Sequence, residues 1–337
     1  MTTLELLSVL ISIAAVFGWV SMRWLKLPIT IGTMVLTVAA SLSLAWVGAY
    51  AAGLRPWAFQ LVRQIDFESL ILHGMLAVLL FAGAFLLDLE YLAKEKLGVA
   101  LHSVFGTLLS TIAVAALMRV ALPPMGVHAS WLECLFFGAL ISPTDPIAVL
   151  EMLRRVGIPK HVEAQLAGES LFNDGVGAVI FLALLDASRG MAPSAWGLGG
   201  MVVLKAGGGL ALGVALAWVT SMLMCLVDAY QVEILFTLAL ALGGYALAEA
   251  GGLSAPLEAV AAGIALRRFN MNHPHPSISH ASIDEFWRVI DEVQNSVLYV
   301  LLGLEVLAIP FHRASWESGL LGIVAVTGVR LGVVALL

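Results

Sequence analysis

Charge is what this sequence has least of. Only 12% of its 337 residues are charged, against about a quarter in soluble domains, while 61% are hydrophobic and the mean hydropathy is +0.98. That shortage excludes an ordinary water-soluble domain and marks an integral membrane protein. Cysteine is almost as scarce. Cys134 and Cys225 each lie inside or beside a hydrophobic segment, so neither a disulfide framework nor a thiolate metal site is expected. The N-terminus lacks a basic n-region and a small-residue cleavage site, so Met1 to Met22 reads as a first span and not as a signal peptide. Short alternating strands are missing too, which excludes a β-barrel. The net charge of −6 says little about partners, because most acids fall in short loops, and no nucleic-acid partner is expected.

What the sequence does hold is a series of apolar segments, all but a shorter ninth roughly 17 to 25 residues long, the length that crosses about 30 Å of hydrocarbon as a helix. Polar breaks divide them into about eleven spans: 4–22, 29–47, 70–87, 97–119, 131–150, 163–186, 200–224, 232–250, 253–266, 289–308 and 317–337. The expected fold is an all-α polytopic membrane protein. Basic residues set its orientation. The odd-numbered loops hold Arg23, Lys26, Lys94, Lys96, Arg154, Arg155, Lys160, Arg267, Arg268 and Arg288; the even-numbered ones hold only Arg55, Arg63, Arg119, Arg189 and Arg313. The excess places the odd loops in the cytoplasm and the N-terminus outside. Two segments echo each other, "LLFAGAFLLDLEYL" in the third span and "LYVLLGLEVLAIPF" in the tenth. Seven spans apart, they cross the membrane in opposite senses, as inverted repeats do.

The fifth span reads "GALISPTDPIAVL". Proline has no N–H, so Pro143 frees the carbonyl of Ala139 and Pro146 frees that of Ser142. Pro146 also drives Asp145 toward an extended backbone. The helix is expected to open from Ser142 to Asp145, and open backbone at membrane depth survives only inside protein or along a watery cavity. A plain proline kink would explain the prolines but not an ionisable group at mid-membrane. Free carbonyls, hydroxyls and a carboxylate together suit a hard cation.

The sixth span carries "GESLFNDGVGAVIF". At about 100° per residue, with Glu169 as zero, Asn173 falls near 40°, Ser170 near 100° and Asp174 near 140°. All four polar groups share one side of the helix, and each central acid costs roughly 2.5–3.5 kcal/mol to insert unless it is used. A buried acid needs a cation partner. Lys205 and Arg330 are the candidates within spans, and Arg330 is the better placed, in the middle of "VTGVRLGVVAL".

These two motifs, with Asp145 and Asp174 29 positions apart, closely resemble the NhaP-type monovalent cation:proton antiporters, relatives of animal sodium/proton exchangers and plant sodium exporters. "FAGAFLLDL" and "VTGVRLGVV" resemble that family's third- and eleventh-span signatures. The resemblance implies a sodium/proton antiporter fold with inverted repeats and a broken fifth helix. It also implies about thirteen spans, two more than are counted here, in a homodimer in the cell (inner) membrane. A core ion-transport bundle would include 97–186 and 317–337, and a dimer-interface bundle 1–87 and 200–308. By position, Asp174 would carry Na⁺ or a proton, with Ser170, the Thr144 backbone and Asp145 as further ligands. Asn173 would bridge to the broken helix, and Glu169 would pair with Arg330. Asp88 is the nearest match to an acid that contributes in some members. No cofactor is implied beyond the transported Na⁺ and H⁺, and the protein would be a transporter, not an enzyme. The Asn173–Asp174 pair resembles the electroneutral branch. A K⁺-selective exchanger remains an alternative. An intramembrane aspartyl protease is disfavoured by the lack of its Gly-x-Gly-Asp and Tyr-Asp stretches, and a channel by the single asymmetric cluster. Glu249 and Glu258 are expected at the membrane interface, and His273, His275 and His280 in a solvated loop.

Overall fold

The eleven apolar segments are mainly helical over their described parts, and the fifth is interrupted. The computed structural model describes residues 3–47, 74–190, 195–227, 229–271, 277–306 and 313–337. Among them are thirteen α-helices: α1 (Thr3–Val20), α2 (Ile29–Val47), α3 (Leu76–Leu86), α4 (Leu89–Ala100), α5 (Thr107–Ala121), α6 (Trp131–Ile141), α7 (Ile147–Val156), α8 (Lys160–Ser188), α9 (Ala195–Met224), α10 (Tyr230–Ala250), α11 (Ala255–Met271), α12 (Ser277–Glu305) and α13 (Arg313–Leu336). A π-helical segment, Leu101–Gly106, joins α4 to α5, so that Leu89–Ala121 runs as one 33-residue helix. Among the described residues, six helices are long and apolar enough to cross a membrane. The start of the third span, Arg55, Arg63, His273 and His275 lie outside the described residues.

Two helix starts differ from the expected spans for a physical reason, and the opening expected in the fifth span is present. The helices of the fourth and tenth spans begin earlier than the apolar runs, at Leu89 and Ser277, because turns carrying Glu90 and Lys94 in one and Asp284, Glu285 and Arg288 in the other extend them beyond the apolar zone. The fifth span becomes two helices, α6 and α7, separated by non-helical Ser142–Pro146.

The helices pack in two groups. In one, α11 lies between α3, α9 and α10, while α12 packs on α1, α2, α3 and α10. In the other, α8 lies against α4, the π-helical segment, α6 and α7, while α13 packs on α5. α8 also touches α3, α9 and α11, so it is the seam between them. The first group's core centres on Phe81, Phe85 and Trp287, whose indole N–H donates to Thr237 Oγ1 at 3.0 Å. The second has its own small core of Val114, Ala115, Met118, Cys134 and Ala325. Exposed Ile11, Trp19, Leu140, Val203 and Ile323 form the apolar outer surface that a bilayer would cover.

Candidate functional site

The broken span is built by local rules. Ser130 starts α6 with a capping box: its hydroxyl accepts from the Glu133 N–H at 3.2 Å, and its own N–H donates to the Glu133 carboxylate at 2.6 Å. α6 then ends at the Ser142 N–H, which still reaches the Gly138 carbonyl, and the two prolines stop the ladder there. α7 resumes at Ile147 and closes on Gly157, whose left-handed φ of +83° only glycine adopts without strain. The Arg154 side chain ties α7 to the first turn of α8 through Glu163 at 2.6 Å.

The break is held against α8 at very short range. A Cβ on Gly177 would sit 2.3 Å from Pro143 Cγ, so the proline ring occupies the space a side chain would need. One turn earlier, Asn173 is fully buried and its Nδ2 donates to Thr144 Oγ1 at 3.1 Å. Arg330, from α13, donates to the same hydroxyl at 3.3 Å and forms an ion pair with Glu169. Thr144, Asn173, Glu169 and Arg330 therefore make one network joining the break, α8 and α13. Gly106, in the π-helical segment, lies beside the guanidinium.

Asp174 stands next to this network but outside it. Among the described residues no hydrogen bond or ion pair engages its side chain, and the Asp145 carboxylate acts on it electrostatically. Arg330 is paired with Glu169, and the Asp145 carboxylate is an electrostatic neighbour of Asp174. Ser170 is buried on the same helix, and the buried oxygens Ser142 Oγ and Asn173 Oδ1 have no hydrogen-bond partner among the described residues. Oxygen atoms and negative charge gathered around an opened backbone are the chemistry a monovalent hard cation requires.

Against this cluster, the family model described as "Sodium/hydrogen exchanger, transmembrane" matches residues 11–337. The chain belongs to the sodium/hydrogen exchanger family. Similar exchangers include the Na⁺/H⁺ antiporter NhaP of Pseudomonas aeruginosa, 36% identical over 315 residues, which cover 93% of this chain and 74% of that protein. Another is the Na⁺/H⁺ antiporter NhaG of Bacillus atrophaeus, 29% identical over 268 residues. There the match covers 77% of this chain, which spans only about half of that relative, 49%. In fold, the chain is similar to the solved sodium proton antiporter MjNhaP1 of Methanocaldococcus jannaschii, with a TM-score of 0.75 at 18% identity, covering 98% of this chain and 77% of that one. The exchanger fold and a multi-pass membrane protein follow.

Within this exchanger fold the expected site residues separate. Thr144, Asn173, Glu169 and Arg330 meet directly, and Pro143 and Pro146 flank the break, with Asp145 between them. Ser170 and Asp174 lie on the facing helix. Asp88 is exposed and caps α4, accepting from the Glu90 N–H at 3.1 Å. Lys205, the other cation considered for the buried acid, pairs with Asp186 at 2.5 Å. Sequence reasoning missed Tyr299, whose hydroxyl donates to Asp145 Oδ2 at 2.8 Å. Its only signal was a phenol in the middle of an apolar run.

Proposed function

We propose that this chain exchanges Na⁺ for H⁺ across a membrane, with Asp174 as the group that takes one or the other in turn. The observation that carries the reading is an Asp174 carboxylate that finds no hydrogen-bond or ion-pair partner among the described residues and lies beside Asp145, next to a network that engages the nearby arginine. A carboxylate can hold a proton or a cation but not both, so the two ions compete for one place. Ser170 and the Thr144 backbone complete the oxygen set, and Asp145 contributes directly or through water. The names of the antiporters from Pseudomonas and Bacillus support Na⁺ as the ion.

With one carrier carboxylate and Asn173 in place of a second acid, the exchange is one ion for one proton and therefore electroneutral. Alternating access comes from the group holding the break moving against the group holding α11 and α12, about the α8 seam. The core would be 97–186 with 317–337, and 1–87 with 200–308 would serve as scaffold and dimer interface. The protein would act as a homodimer in the cell membrane, with its N-terminus outside.

The test is proton release from acid-loaded liposomes containing the full-length protein, with Na⁺, Li⁺ or K⁺ added under voltage clamp. Cation-dependent release that ignores voltage and vanishes in Asp174→Asn is the expected result. Release that persists in that variant removes Asp174 as the carrier, and voltage-dependent release removes the one-for-one stoichiometry.

A further inference from the structure

Tyr299 is 9% exposed in the C-terminal part of α12, and its hydroxyl donates to Asp145 Oδ2 at 2.8 Å. The two residues are 154 positions apart and belong to different packing groups: α12 rests on α1, α2, α3 and α10, whereas Asp145 sits in the break held against α8. This hydrogen bond therefore spans the two groups at the level of the candidate cation site.

The same face of α12 is polar for two further turns. Asn295, one turn before Tyr299, is buried and hydrogen-bonds the Asp291 carboxylate, which lies another turn away. Positions i, i+4 and i+8 share one side of a helix, so Asp291, Asn295 and Tyr299 form a row ending at Asp145. Asp145 and Arg154 both act electrostatically on Asp291. A buried phenol is costly without an acceptor, and a carboxylate is the strongest acceptor available. The phenol is neutral, so it fixes one carboxylate oxygen without placing a positive charge that would compete with an arriving ion.

We propose that Tyr299 is a positioning residue for ion binding: its hydroxyl holds the Asp145 carboxylate in the orientation from which it meets the cation. This deepens the exchange reading and rests on it for the identity of the ion. Tyr299→Phe keeps the ring that packs within the bundle and removes only the donor. Hydrogen bonds to charged groups account for about a factor of ten or more in an equilibrium. In proteoliposomes of the full-length protein, Tyr299→Phe therefore raises the half-saturating Na⁺ concentration roughly tenfold and changes the maximal rate far less. In an Asp145→Asn background the same substitution adds nothing. An equal loss in both backgrounds, or a fall in maximal rate and Tm at unchanged half-saturation, overturns the proposal in favour of a packing role.

A second readout separates this proposal from the function it deepens. Li⁺ or Na⁺ is titrated against Tm in detergent, where no transport is needed. If the parent fails to exchange but its ion-induced rise in Tm weakens in Tyr299→Phe, the exchange reading falls and Tyr299 keeps its role. If the rise in Tm is the same in both proteins, the role assigned to Tyr299 is wrong whether or not the protein exchanges ions.

Discussion

Glu169 and Arg330 lie 161 positions apart and are both mostly buried, with side-chain exposures of 16% and 18%. Losing one member of such a pair strands a charge and costs about 3–5 kcal/mol, whereas losing both restores part of that. Glu169→Gln and Arg330→Gln are each expected to lower Tm in detergent sharply, with the double variant more stable than the sum of the two losses predicts. Strict additivity would show that the pair is not coupled. At this scale the motif residues stood out because polar atoms are rare in an apolar span. Glu258 was read too shallowly: expected at the interface, it is fully buried, with neither carboxyl oxygen hydrogen-bonded among the described residues. Nearness to a turn implied water, and Gly251 and Gly252 are indeed exposed, but from Ser254 onward the chain is buried, with α11 packed on α9 and α10. Tyr299 could not be assigned at all, because its partner is a matter of tertiary packing.

The break between α6 and α7 was legible for a local reason, since two prolines three apart cannot stay in one helix. What the sequence could not reveal is how tightly the break is clamped. Gly177 leaves room for the Pro143 ring, and a methyl placed 2.3 Å from that ring must push the break away from α8. Overpacking of this kind costs about 1–3 kcal/mol. Gly177→Ala is therefore expected to lower Tm modestly and to lose most cation-dependent proton release, because the displaced element carries Thr144 and Asp145. Release at the parental rate would mean that the clamp does not position the site. The early starts of α4 and α12 were illegible from hydropathy alone, since helix and span are different things: a helix continues through charged turns that lie outside the apolar zone.

Across the whole molecule, α11 is the most enclosed element, buried almost continuously from Ser254 to Leu266 between α3, α8, α9 and α10. Gly244, on α10, faces Glu258 so closely that a Cβ there would sit 2.2 Å from Oε1. Glu258→Gln keeps the shape and loses no hydrogen bond, so Tm should stay near the parent's. Gly244→Ala should lower Tm, and combining it with Glu258→Ala should recover part of the loss. If Gly244→Ala is harmless, the junction is looser than this packing indicates. The helical segments were countable from the chain, but their grouping entered only through the family resemblance, because apolar faces that touch lipid and those that touch protein have the same composition. The enclosure of α11 also bears on how the protein is made. A segment with a proline and a carboxyl group and almost no lipid-facing side has little reason to leave the translocon alone. It can follow α9 and α10 out as part of a hairpin already waiting for it, so the order of synthesis supplies the partners that its own hydrophobicity does not.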